Sequence, residues 1–193
     1  MERSLRDLRR INRYLGGVTT YRRLLKRFRG VRSVVDLGAG TADLLESIRG
    51  DVLRVALDFK IDHLLYMRDH SRARRVVADA KFLPFRNGSV DLVTSSHFFH
   101  HFTPDENATI LREAVRIARN GVAITDTRRH YAPLLFIQLL AALRLVGRIT
   151  RLDGPGSVRR GYTVGEAQNV VDGVTSGRVV KFFPFRFAII IQK

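Results

Sequence analysis

Three histidines crowd one short stretch of the chain, Ser95-Ser96-His97-Phe98-Phe99-His100-His101-Phe102. Imidazole changes charge nearest neutral pH, so a histidine held against a phenol or enol can take its proton. His97 and His100 are the candidate bases on that ground, and His101 is a candidate substrate contact. For a metal the cluster is poor. Its spacing supplies no acid partner and no second group of ligands, and the chain has no cysteine. No metal is expected. Three carboxylates form a second set. Asp36 closes Val34-Val35-Asp36, Asp58 closes Leu53-Arg54-Val55-Ala56-Leu57-Asp58, and Asp79 closes Arg75-Val76-Val77-Ala78-Asp79. An acid at the end of an apolar strand can hold an ammonium group or a pair of hydroxyls. Glycines at 38 and 40 would let such a ligand lie against the backbone.

These side chains need a scaffold that gathers strand ends. Val34 to Asp43 reads as a buried strand, a tight turn at Gly38 and Gly40, and a helix N-terminus just beyond. Doubly wound α/β proteins bind nucleotide-like cofactors at such units. Asp43 stands where a dinucleotide fingerprint needs its third glycine, and its charge would repel a pyrophosphate. No Gly-Lys-Ser/Thr follows the turn, which removes a P-loop. A sulfonium cofactor with an amino-acid tail and no phosphate meets neither objection, and Asp36 can accept from its ammonium. Asp58 is placed to bind both hydroxyls of an adenosine ribose. A turn at Asn87-Gly88 leads into a fourth strand, Ser89-Val90-Asp91-Leu92-Val93-Thr94-Ser95-Ser96.

In order and spacing, VVDLGAGTADLL, the acid of LRVALDF, VVADAKFLPFRNGSVDLVTSSHFFHHF and LREAVRIARNGVAITD resemble the class I S-adenosylmethionine-dependent methyltransferases. The resemblance covers about positions 31–127. It is to the small-molecule type, the group of the ubiquinone and menaquinone biosynthesis enzymes. It implies a Rossmann-like, doubly wound α/β fold: a seven-stranded sheet, mostly parallel, with an antiparallel last strand. It also implies roles: Asp36, Gly38 and Gly40, with Ala39 between them, hold the methionine moiety, and Asp58 the ribose. Phe59 packs on the adenine, Asp79 and Ala80 contact its amino group, and Ser95 or Ser96 lines the cofactor floor. Asn12 to Gly17 is similar to the cap that such enzymes fold over the cofactor, which makes Tyr14, and more weakly Tyr21, a substrate or cofactor contact. Arg128 and Tyr131 join Tyr14 and His101 as substrate candidates. Two departures stand out. Ala42 occupies a usual third-glycine position, and Arg119-Asn120-Gly121 replaces a Pro-Gly-Gly turn before the fifth strand, where it is expected to cap a helix.

The length of 193 residues suits one domain. The expected parts are an N-terminal helical cap over 1–29, a cofactor-binding core over 31–129, a lid insertion over 130–160, and a C-terminal helix and strand hairpin over 161–193. That hairpin, Gly177–Phe183 with Phe187–Ile191, would complete the sheet, and Thr163 with Glu166 would cap the preceding helix. No apolar run reaches the roughly 18 residues of a membrane span, and no signal-peptide core is visible, so a cytoplasmic protein is expected. The formal charge of +16 is the footprint of a partner that is anionic: nucleic acid, a membrane surface met peripherally, or an acidic substrate. Leu5, Leu8, Ile11 and Leu15 make the N-terminal segment amphipathic, with arginines on the other faces. In the lid, Leu134 to Leu143 is apolar nearly all round, so that helix is expected to be buried, to line a pocket or to lie on a membrane. Arg148, Arg151, Arg159 and Arg160 edge it around a Gly-Pro-Gly loop. The expected function is methyl transfer from S-adenosylmethionine to oxygen or carbon of a small, apolar, acidic acceptor. An RNA-modifying methyltransferase and a non-catalytic, cofactor-binding partner subunit are the alternatives. A nicotinamide oxidoreductase ranks last, because of Asp43.

Overall fold

Short apolar runs of the first two-thirds of the chain become parallel strands: β1 (Ser33–Leu37), β2 (Leu53–Asp58), β3 (Ala73–Val77), β4 (Val90–Ser96) and β5 (Ala118–Thr127). The hairpin β6 (Arg178–Phe182) and β7 (Arg186–Gln192) adds two more, with β7 antiparallel to both β5 and β6. The computed structural model describes residues 17–67, 71–142, 155–183 and 185–193. Tyr14, the segment before Gly17, Arg148 and Arg151 lie outside the described residues. The sheet order is β3-β2-β1-β4-β5-β7-β6. The order reverses between β1 and β4, and ligands of open α/β sheets bind at the carboxyl ends of such a pair.

Strand alternation sends the apolar side chains to two cores. On one face Val34, Ala56, Leu92, Ala123 and Ala188 pack against Leu24 of α1 (Gly17–Leu25) and against Phe28. On the other, Val35, Leu57, Val93, Ile124 and Ile189 pack against α3 (Pro104–Ile117) and α6 (Val164–Asp172). Those two helices begin in capping boxes, Thr103 with Glu106 and Thr163 with Glu166, the second as its sequence predicts. The remaining helices are α2 (Ile61–Leu65), α4 (Tyr131–Ala142) and α5, a short helix over 155–160.

Four expectations are corrected. Beyond the glycine turn stands only a 3-10 turn, Leu45–Ser47. Left-handed backbone runs on through Ala42 (φ 59°), and the Arg54 guanidinium takes the carbonyls of Ile48, Gly50 and Val52. The third strand stops at Val77, because Asp79 folds back to accept from the backbone N–H of Lys81, 2.9 Å away. Arg119-Asn120-Gly121 is not a helix cap: α3 ends at Ile117 and these residues are already strand, opposite a bulge at Val90 to Leu92. Gly121 is needed there because a Cβ would run into the Ile191 carbonyl of β7. The Gly-Pro-Gly segment is not a loop as far as it is described, since residues 155–160 are helical and Arg159 and Arg160 stand on that helix. Of the readings open for the apolar lid helix, burial fails for its described face: Tyr131, Leu135, Phe136 and Leu139 of α4 are exposed.

Candidate active site

The tips of β1, β2 and β4 hold most of the acids and glycines picked out by sequence. Asp58 is buried, and its two oxygens accept from the backbone N–H of Gly40 (3.0 Å) and of Lys60 (2.9 Å), with His63 Nδ1 at 3.3 Å. It thereby ties the glycine turn to the loop after β2. Ala39 is held by its own N–H to the Leu57 carbonyl (3.0 Å). Asp36 is 3% exposed and accepts from the Thr94 hydroxyl at 2.7 Å, and Thr94 in turn meets the buried Tyr21 hydroxyl at 3.0 Å. Burial pushes the Asp36 carboxyl up to about 7; the Thr94 hydrogen bond opposes this and the charge of Asp58 adds to it. Tyr21 therefore acts through Thr94, inside the core.

The ring of Phe98 lies on Gly38, where any side chain would collide with it, whereas the space beside Gly40 is open. Phe59 is 73% exposed at the rim. Ala80 is buried just past Asp79, and the loop is drawn to β2 by the Ala78 N–H on the Asp58 carbonyl (3.2 Å). The two serines diverge by strand alternation. Ser95 faces the α3 side and donates to the Leu37 carbonyl (2.8 Å), while Ser96 faces the α1 side and its hydroxyl is buried with no partner among the described residues.

The histidines do three different things. His100 is buried and doubly held by Asp126 of β5, which accepts from its backbone N–H (3.0 Å) and pairs with its Nδ1 (2.8 Å). An acid partner is therefore present, contrary to the reading from local spacing. Burial alone would push the Asp126 carboxyl up, but His100, His97 and the Thr127 N–H outweigh it and hold it below the usual carboxylate range. His101 stacks on His100 with ring centroids 4.1 Å apart, and burial and the His100 charge lower it to about 4. His97 sits in left-handed backbone (φ 55°), its Nδ1 3.2 Å from the Thr127 hydroxyl. Its Nε2 is buried and unpartnered. Burial and then the charge of Arg186 lower His97 to about 3, against the pull of Asp126. His97 is neutral at physiological pH.

Arg186 is the residue that sequence reading passed over. It opens β7 opposite Thr127, is 4% exposed, and leaves its Nη1 with no partner. Burial lowers its pKa to about 10, with Asp126 opposing. Its signal was a lone cation in Phe185-Arg186-Phe187-Ala188-Ile189-Ile190-Ile191; that of Asp126 was one more acid at an apolar strand end. The substrate candidates are dispersed. Arg128 has a buried, unpartnered Nε and donates its backbone N–H to the Phe185 carbonyl (2.9 Å). Tyr131 is 71% exposed and stacked on His130. On the α3 side, a cavity of about 390 Å³ is lined by His100, His101, Arg129, Arg160 and Tyr162 among others, with Arg129 paired to Glu166 at its wall. Among the described residues, no group of three or more His, Asp or Glu is arranged to hold a metal ion.

Residues 35–125 match the family model for a methyltransferase domain. No curated protein matches the sequence. Among solved structures, one similar chain is a Methanococcus maripaludis protein assigned as an S-adenosyl-L-methionine-dependent methyltransferase. It is 20% identical with a TM-score of 0.72, over 97% of this chain and 91% of that one. The plantazolicin methyltransferase BpumL, in complex with a triazolic desmethylPZN analog and SAH, is 14% identical with a TM-score of 0.74, over 95% and 85%. A chain of the complex between the Haloferax volcanii Trm112 methyltransferase activator and a protein assigned as a methyltransferase is 17% identical with a TM-score of 0.64, over 96% and 92%.

Proposed function

We propose that this chain is a class I S-adenosylmethionine-dependent methyltransferase that methylates oxygen or carbon of a small, apolar, acidic acceptor. The site fits the cofactor. Asp36, titrating near neutrality in a buried position, gains most from an ammonium partner, and the space beside Gly40 is open for a tail to pass. Asp58 stands at the strand tip for the ribose, Phe59 presents its ring for the adenine, and Asp79 with Ala80 closes that end. Ser96 offers a free hydroxyl at the floor. When bound, S-adenosylmethionine supplies a methyl group on a positively charged sulfur, open to in-line attack. The chain's own contribution is then chiefly to hold an acceptor collinear with that methyl and to keep water out.

The observation that carries the acidic acceptor is His97. A neutral imidazole with a buried, unpartnered Nε2 beside the end of β4 leaves one ring nitrogen for an acidic acceptor, taking its O–H proton or, as the N–H tautomer, donating to its ionised oxygen. His100, fixed by Asp126, positions the loop that carries it. The apolar α4, with Arg159 and Arg160 near it in sequence, supports a hydrophobic acceptor bearing an anionic group, and Tyr14, His101, Arg128 and Tyr131 remain its candidate contacts. The complex of BpumL with a desmethyl analog supports an acceptor other than nucleic acid. The charge of +16 favours a second reading, RNA as the acceptor. The activator complex favours a third, a domain that works only beside a partner chain.

Calorimetric titration with S-adenosylhomocysteine, with NAD as control, tests the cofactor: micromolar binding of the first and none of the second is expected. Tritiated cofactor offered with phenolic and quinone pools, and separately with total RNA, then divides the readings. Label in the small-molecule fraction is expected. Label in RNA alone would establish the second reading, and tight cofactor binding without label anywhere would move the partner-subunit reading forward.

A further inference from the structure

We propose that Arg186 is the anion-binding residue of the acceptor site, holding the acceptor's ionised oxygen beside His97 on the α1 face of the sheet. The inference rests on the methyltransferase reading and names the side of the sheet and the charge that the acceptor meets. Paired residues of neighbouring strands point to the same side, and so do residues two apart along a strand. Asp36 pairs with Thr94, Ser96 with Thr125, and Thr127 with Arg186. These six side chains therefore form one polar row along the α1 face, running from the cofactor end at Asp36 to Arg186. His97 joins that row through Thr127, and Phe98, the next residue, lies on Gly38 of the cofactor turn.

Four atoms of this row are buried without a partner among the described residues: Ser96 Oγ, His97 Nε2, Thr125 Oγ1 and Arg186 Nη1. Buried polar atoms are satisfied in the great majority of cases, so four orphans on three adjacent strand ends mark a place where something binds. One of the four belongs to a cation. Among the described residues no carboxylate lies within 4.0 Å of the Arg186 guanidinium. Its nearest opposite charge, Asp126, stands on the α3 face and is already occupied by His100 and by the Thr127 N–H. A buried guanidinium left in this state is costly, and an incoming anion removes the cost. The planar fork of two donors suits a carboxylate, a phenolate or an enolate.

The same guanidinium makes the acceptor more acidic and His97 less basic. The first change favours the ionised acceptor, whose proton goes to solvent, and the second keeps the His97 ring neutral, so His97 need not serve as the base. The acceptor is thus bound as its anion, with the Nε2–H tautomer of neutral His97 donating the second hydrogen bond to it.

The test uses benzoate, the simplest apolar aromatic carboxylate, and benzamide, its neutral match. Protein labelled with ¹³C in its histidine rings and saturated with S-adenosylhomocysteine is titrated with each, His97 being assigned by loss of its signals in His97→Gln. Benzoate should shift the His97 ring signals saturably and raise that ring's pKa. Benzamide should bind at least tenfold more weakly, and Arg186→Gln should bring benzoate down to the level of benzamide. Cofactor affinity, measured separately by calorimetry, should change less than twofold in Arg186→Gln, so failure of the methyltransferase reading shows as failure of the unaltered protein to bind S-adenosylhomocysteine. Should Arg186→Gln not fold, Arg186→Lys keeps the charge but loses the fork, and benzoate should weaken at least threefold. Equal binding of the two probes, no shift at His97, or benzoate affinity unchanged in the folded variant overturns the proposal.

Discussion

Asp36 makes the site sensitive to pH at a single oxygen pair. Its carboxyl is raised to about 7, so below that pH it is largely protonated and above it largely charged. An ammonium ligand selects the charged form. Affinity for S-adenosylhomocysteine should therefore rise by up to about tenfold per pH unit below 7 and level off near pH 8. Calorimetry near pH 6.5 in two buffers of different ionisation enthalpy should record close to one proton released. A flat affinity with no proton release would take the ammonium role away from Asp36. The folding equilibrium carries the opposite sign. A carboxyl raised on folding contributes stability that is full below its unfolded pKa of about 4 and is lost as pH rises through about 7. Asp36→Asn should thus outlast the unaltered chain in urea at pH 8 while losing the cofactor. Other residues were harder to read from sequence. Asp36 and the glycines announced themselves by standing next to one another along the chain. The partnership of His100 with Asp126 and the placement of Arg186 depend on strand register, and register is set by contacts far apart in sequence.

Elements bounded by an abrupt change of chemistry were legible; those bounded by tertiary contact were not. β2 runs over Leu53–Asp58 as its apolar run and closing acid say, and the Thr163 cap lies where its motif puts it. The helix expected after Gly40 shrank to one 3-10 turn: left-handed backbone at Ala42 interrupts it before the turn, and Arg54, from the next strand, holds the carbonyls of Ile48 and Gly50 just past it. Gly121 was read as a helix stop by composition, yet its reason lies in β7, seventy positions further on. That difference can be measured. Gly121→Ala should cost about 3 kcal/mol or more, since the added methyl meets backbone on a neighbouring strand that cannot turn aside. Thermal and urea melts would read it, and a loss under about 1 kcal/mol, the usual helix-cap range, would favour the capping role instead.

The charge of +16 belongs to no single site and acts at the scale of the surface. If it serves long-range attraction only, salt will separate it from the cofactor chemistry. Retention on an immobilised polyanion such as heparin should fall steeply between 50 and 300 mM salt, in line with a Debye length of about 10 Å at 0.1 M. Affinity for S-adenosylhomocysteine, which we assign to the buried Asp36 and Asp58, should change less than about twofold over the same range. Parallel loss of both would tie the charge to the site. No helix of the described residues is long and apolar enough to cross a membrane. The strand order carries a consequence for how the molecule is made. β5 ends at Thr127, but the strand that pairs with it, β7, does not start until Arg186, 59 positions later. At about 5–20 residues per second, a ribosome leaves the outer edge of β5 bare for roughly 3–12 s. During that interval the apolar row Val122-Ala123-Ile124 is an open template for other nascent chains. Synthesis of this protein therefore has its own aggregation-prone window, closed by its last strand to pair, and chaperones have those seconds in which to act.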